Sequence, residues 1–255
     1  MTIFAYDKTF EGLLTAVFDA YLRKTFPDIL LAHGEPLPLF YDEVVEVVAD
    51  TEKAKRVWKA LEKKLSKTAL NLVTLTWLSE QPGVDILLFR YIRKNIDAPK
   101  SVELNFGDPD VLELSKIWKR VSHERQYILQ FARFQKAADG TYFAPFEPVY
   151  NVLPLTIHHF KNRFSDQKWL IYDVKRQYGY YYDMNTVEEI TFESKELHLI
   201  TGKLHESLMS EDEKLFQELW KEYFKSIAIK ERINPKLHKQ NMPVRYWKYL
   251  TEKQK

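Results

Sequence analysis

Cysteine is absent from all 255 residues. That removes disulfide frameworks, thiolate zinc sites, Cys-ligated iron–sulfur clusters and cysteine nucleophiles. Glycine is scarce, at seven residues, which leaves little material for a glycine-rich phosphate loop. The phosphate-loop, dinucleotide-binding, HExxH zinc-protease and GxSxG serine-hydrolase signatures do not occur. Long apolar runs are missing too. Leu70 to Leu78 and Val84 to Phe89 are the most apolar stretches, far short of the ~20 residues of a membrane span. Met1 to Phe10 contains Asp7 and Lys8 but no basic flank followed by an apolar core, so it does not read as a signal peptide. These absences lead us to expect a cytoplasmic protein without a membrane segment.

Aromatic residues are plentiful: 15 Tyr, 16 Phe and 6 Trp supply large packing anchors and possible stacking surfaces. Apolar residues at 45% and charged residues at 29% fit a folded globular chain. Charge is unevenly placed. The net value is +2, yet residues 226–255 hold eight basic and two acidic groups. A basic end of this kind favours an anionic partner, although a solvated terminus explains it equally well.

The periodicity predicts α+β architecture: a mostly antiparallel sheet flanked by helices. Three regions follow: a helix-rich 1–124, a strand-rich 125–205, and a C-terminal helix with a basic aromatic arm, 206–255. All three can form one compact unit. Thr2 to Tyr6 reads as a strand, followed by a helix capped by Thr9. Glu43 to Ala49 is a second strand, and helices follow from Thr51, from Lys67 and from Val84. Asp108-Pro109 opens another helix. Near Arg125 the pattern changes to alternation, which predicts a strand over Tyr127 to Phe134. Asp139-Gly140 predicts a hairpin whose return strand, Thr141 to Phe146, has its far end at an edge because of Pro145 and Pro148. A helix is expected over Asn151 to Phe164. A meander follows over Lys168 to Lys175, Gly179 to Asp183 and Val187 to Phe192. The stripe Leu215 to Ile227 predicts a helix ended by Pro235.

Three segments carry chemistry. His158 and His159 diverge on a predicted helix, a poor geometry for sharing a metal, and we expect neither a metal nor a cofactor. Lys161 and Arg163 follow them. Next come Trp169 on a strand and a run holding Arg176, Tyr178 and Tyr180, where alternation gives one core face and either a second face that stacks on bases or partner side chains or an ordinary Tyr-rich hairpin. Asp173 is the best single carboxylate, with His159 a further acid–base candidate, but strand geometry favours an Asp173–Lys175 salt bridge. Last, Arg232, Lys239, Arg245, Tyr246 and Trp247, with Lys248, place cations and aromatic planes together. That set suits a nucleic-acid backbone with stacked bases. It suits equally a clasp that docks aromatics onto the core.

The segments FEGLLTAVFDAY, HFKNRFSDQKWLIYDVKRQYGYYYD and LWKEYFKSIAIKERINPKLHKQNMPVRYWKYL together resemble a bacterial family described as DNA metabolism proteins. The resemblance covers nearly the whole chain, and the closing segment is its most specific part. Genes of that family tend to lie beside a radical-SAM protein linked to DNA modification or repair. Some members add a uracil-DNA-glycosylase-like domain, of which no motif is visible here. The resemblance implies a context and no catalytic residues. It points to a nucleic-acid-binding accessory protein acting with a radical-SAM partner. The predicted DNA contacts are Arg163, Trp169, Arg176, Tyr178, Tyr180, Arg232, Lys239, Arg245, Tyr246 and Trp247. Two alternatives stand beside it: an interaction subunit for that partner without DNA contact, and a DNA-processing enzyme using Asp173 or His159.

Overall fold

A computed structural model describes residues 1–192, 206–227, 229 and 234–253. The chain divides into two compact units, Met1–Ser122 and His123–Lys255.

The first unit is built on strand β1 (Thr2–Tyr6), with β2 (Ile29–Ala32) on one side and β3 (Glu43–Glu46) on the other, all parallel. Ile3, Phe4, Ala5 and Tyr6 are buried, as a central strand covered on both faces requires. Helix α1 (Phe10–Arg23) links β1 to β2, with the Thr9 side chain accepting the Gly12 N–H. Its buried Leu13, Leu14, Ala16, Val17 and Ala20 follow helical spacing. Gly12 is a close approach: a Cβ there would lie 2.1 Å from Asp7 Oδ1. Helices α2 (Thr51–Lys64), α3 (Lys67–Trp77) and α4 (Val84–Asp97) complete the layer. The Phe10 ring meets Trp58 at 5.9 Å and Trp77 at 5.7 Å between centroids. Strand β2 was not foreseen: its four residues, ILLA, are too few to show a period.

Helix α5 (Pro109–Phe131) corrects the expected strand over 127–134. Its buried positions Val111, Leu114, Ile117, Val121, Glu124, Ile128 and Phe131 recur every three or four residues. A charged residue fills one of these core positions, and that breaks the apolar series at the point where the helix seemed to end.

The second unit carries a five-stranded sheet in the order β4-β5-β6-β7-β8. Its strands are β4 (Gln135–Lys136), β5 (Tyr142–Phe146), β6 (Trp169–Asp173), β7 (Tyr178–Tyr182) and β8 (Val187–Ile190). Only the β5–β6 pairing is parallel, so the sheet is mostly antiparallel, as the periodicity predicts. The β5–β6 connection contains a 3-10 turn, Leu153–Leu155, and helix α6 (Ile157–Arg163) in place of one continuous helix. Pro145 lies beyond the two residues of β5 that pair with β4, which leaves that end paired only with β6. Gly179 is required by contact, because a Cβ there would lie 2.4 Å from the Ile171 carbonyl oxygen.

Helix α7 (Glu213–Ser226) follows the expected stripe. Pro235 does not end it. It occupies the first turn of a separate helix, α8 (Pro235–Asn241), capped by Asn234. A 3-10 helix, Val244–Tyr249, and a turn, Thr251–Lys253, complete the arm.

Candidate functional site: a basic groove beside the C-terminal arm

Three segments of the second unit enclose the site: the loop 147–151, the turn from β6 to β7, and the 3-10 helix Val244–Tyr249. The buried carboxylates of Asp173 and Glu124 fix them.

Asp173 ends β6 and is fully buried. Its Oδ1 accepts the N–H groups of Lys175 at 2.9 Å and Arg176 at 3.0 Å, which turns the chain back into β7. Its Oδ2 accepts Arg176 Nη1 at 2.9 Å. The salt-bridge partner is therefore Arg176, and Lys175 contributes only its backbone. Face-sharing at two-residue spacing stops applying once the strand ends. Burial pushes the Asp173 pKa up, against the opposing pull of Arg176. The same guanidinium donates to the carbonyls of Pro148 at 3.2 Å and Val149 at 3.1 Å. A buried ion pair thus holds the groove loop through its backbone.

Glu124, from α5, is the second fixed point and is only 3% exposed. Its Oε1 accepts Val149 N at 2.8 Å and the Tyr246 hydroxyl at 2.6 Å. Its Oε2 accepts Arg245 Nη2. The Arg245 guanidinium also lies 4.9 Å from the Tyr246 ring centroid. Burial beside the Glu124 carboxylate raises the Tyr246 pKa, so its hydroxyl stays a donor.

Glu252 anchors the turn that follows the 3-10 helix. Its buried carboxylate accepts Arg133 Nη2 at 2.8 Å and Trp220 Nε1 at 2.9 Å. Burial pushes its pKa up, but these hydrogen bonds outweigh burial and hold it low. Tyr246, Tyr249 and Leu250 are buried, so the arm docks as a clasp.

The docked arm leaves an open groove of about 450 Å3, lined by Glu147, Pro148, Val149, Lys175, Val244, Arg245 and Lys248. Lys248 pairs with Glu147, whose carboxylate also receives the Tyr249 hydroxyl at 3.4 Å. The Lys248 hydrogen bond lowers the Glu147 pKa despite partial burial. Lys175 Nζ lies 3.4 Å from the Val149 carbonyl oxygen. Three cations, one carboxylate and the apolar Pro148, Val149 and Val244 thus line the groove.

The residues expected from sequence do not all meet here. Arg245 lines the groove, and Arg176 supports its wall. Tyr178 donates to Asn151 at the end of the loop, and Tyr180 donates to Glu189 at 3.1 Å. Trp169 and Tyr246 are fully enclosed, leaving no ring face for a base. Trp247 is half-buried and donates to the Met242 carbonyl at 3.0 Å. Arg163 and Lys239 are exposed outside the groove lining. Arg232 lies outside the described residues. His159 is exposed and packs edge-on to Phe160. Among the described residues, no group of three or more His, Asp or Glu side chains could hold a metal ion. Nor is any helix there long and apolar enough to cross a membrane. Glu124, Glu147 and Lys175 were not among the expected site residues. The available signal was the position of Glu124 in the helical spacing between Val121 and Ile128.

The chain belongs to the family described as a domain of unknown function, DUF4130, which matches residues 82–252. That match includes every segment of the groove. No curated protein matches the chain. A solved structure described as the pGpG-specific phosphodiesterase PggH from Vibrio cholerae is 13% identical. It aligns over 89% of this chain and 99% of its own with a TM-score of 0.39, a likeness that carries no functional argument.

Proposed function

We propose that this chain is a nucleic-acid-binding accessory protein of DNA metabolism and that the groove is its phosphate-contacting surface. The observation that carries this reading is the gathering of Lys175, Arg245 and Lys248, two of them far from the third in sequence, around one open groove. Phosphate contacts of this kind position a strand without reading its sequence. The sequence resemblance adds a radical-SAM partner to the proposal, with the redox chemistry residing on that partner.

Anisotropy of labelled single- and double-stranded DNA across a salt series tests it. Log affinity should fall linearly with log salt, and Lys175→Glu should reduce the slope by roughly 0.7 to 0.9 for the contact removed. No binding at low salt, or an unchanged slope in Lys175→Glu, refutes the assignment.

One observation favours a second reading, an interaction subunit without DNA contact. Helix α7 is tied down by the Glu213 carboxylate and the Trp220 indole N–H but exposes Leu215, Phe216, Leu219 and Tyr223, with Ile227 just past its end, on an adjoining strip. An apolar strip of this kind is a feature of protein-binding surfaces. Partner binding that is insensitive to salt, together with no DNA affinity, would select this reading.

A further inference from the structure

Resting on the nucleic-acid reading, we propose that Glu147 is a built-in competitor for the groove. Its carboxylate holds the position at Lys248 that a backbone phosphate of the bound strand would take, and binding exchanges one for the other.

Glu147, in the groove lining, and Glu124, behind it, differ in kind. Glu124 is buried, and its oxygens receive Arg245, Tyr246 and the Val149 N–H, so its displacement would unseat the arm. Glu147 is exposed. The side chains of the Lys248–Glu147 pair are 44% and 45% exposed, and pairs this open contribute little to stability. Glu147 can therefore swing into water, giving up only the long 3.4 Å hydrogen bond from the Tyr249 hydroxyl besides its pair with Lys248. Its backbone neighbours Pro148 and Val149 stay fixed by Arg176. A carboxylate and a phosphate make the same kind of charge-assisted bond to an ammonium group. Lys175 lines the same groove and is exposed, so an incoming strand has a cation to meet before the exchange at Lys248. A groove that neutralises part of its own charge binds weakly at rest and accepts only anions able to displace the carboxylate.

The probe is a labelled single-stranded oligonucleotide, titrated against the full chain at low salt and across a salt series. Glu147→Gln should bind more tightly by up to about fivefold, the limit set by the strength of an exposed ion pair. Its salt slope should steepen by up to roughly 0.7, one further single-strand contact. Glu188→Gln, on β8 outside the groove lining, removes the same charge and should have a smaller effect. Lys248→Gln should cost more affinity in the Glu147→Gln background than alone, a non-additivity diagnostic of direct coupling. Equal gains from the two Glu→Gln variants, or additive effects of Glu147 and Lys248, overturn the inference. If wild type binds and Lys175→Glu weakens it while Glu147→Gln changes nothing, the inference fails and the groove reading stands. If neither wild type nor Glu147→Gln binds, both fail.

Discussion

Replacing Arg176 with methionine tests the buried support of the groove. Methionine keeps most of the volume and removes the charge. The hydrogen bonds lost include Nη1 to Asp173 at 2.9 Å and those to the carbonyls of Pro148 at 3.2 Å and Val149 at 3.1 Å. Removing one partner of a buried ion pair costs about 3 to 5 kcal/mol. Asp173 keeps two backbone donors, at 2.9 and 3.0 Å, and can also take up a proton. The expected cost is therefore near the low end, about 3 kcal/mol, or roughly two decades in the local opening equilibrium. Hydrogen exchange read by mass spectrometry on peptides covering β6 and β7 should show about hundredfold faster exchange. The pH dependence follows from the raised Asp173 pKa, which rises further without Arg176. A carboxyl with a higher pKa folded than unfolded binds protons more tightly when folded. Its contribution to stability then grows as pH falls through the folded value toward the unfolded one, near ~3.9. The destabilisation should thus be smaller at mildly acidic pH than at neutral pH. Unchanged exchange, or an effect independent of pH after correction for intrinsic rates, would refute this account of Arg176.

Three other changes probe separate elements. Tyr246→Phe removes a charge-assisted donor from Glu124 and should destabilise the arm by about 1.5 to 3 kcal/mol, read as faster limited proteolysis within residues 234–253. Gly12→Ala forces Asp7 out of its two hydrogen bonds with Thr9, costing about 2 kcal/mol against a gain of about 1 from helix propensity. It should lower Tm modestly alone and cost less in an Asp7→Ala background, where only the 3.1 Å contact of the new Cβ with the buried Tyr6 ring remains. In the first unit, Lys94 bonds both Asp108 and Asp110, and Arg90 holds Asp110, which lowers both carboxyl pKa values. Their stabilisation is present above the unfolded carboxylate value and lost as pH falls through the depressed folded values. Asp110→Asn should flatten the loss of protection of α4 amides in acid.

Much of the fold was legible because its helices and meander strands keep their periods. Thr9, Ser66 and Asn234 cap the helices that begin after them, with side chains accepting the N–H of Gly12, Ala69 and Leu237. Errors arose where a polar group entered the core. Glu124 stands in a buried helical series, and its charge made α5 read as though it ended early. Pairing direction was also hidden: β1 and β3 match residues 41 apart, such as Thr2 with Glu43, and strands of four or five residues do not reveal whether they run parallel. At the site, composition marked the basic arm but not its depth. Tyr246 and Trp247 are adjacent, yet one ring is enclosed and the other half-buried. Asp173 was recognised, but its ion-pair partner lay across a turn that strand geometry does not describe.

Glu124 has a consequence for how the second unit opens. One carboxylate receives donors from the groove loop and from the arm, at Val149, Arg245 and Tyr246. Neither wall can leave without stranding a buried charge that the other wall must then satisfy alone. The two walls should therefore behave as one cooperative opening unit, with matched opening free energies for loop and arm amides. The groove would then be present or absent as a whole, rather than widening by degrees.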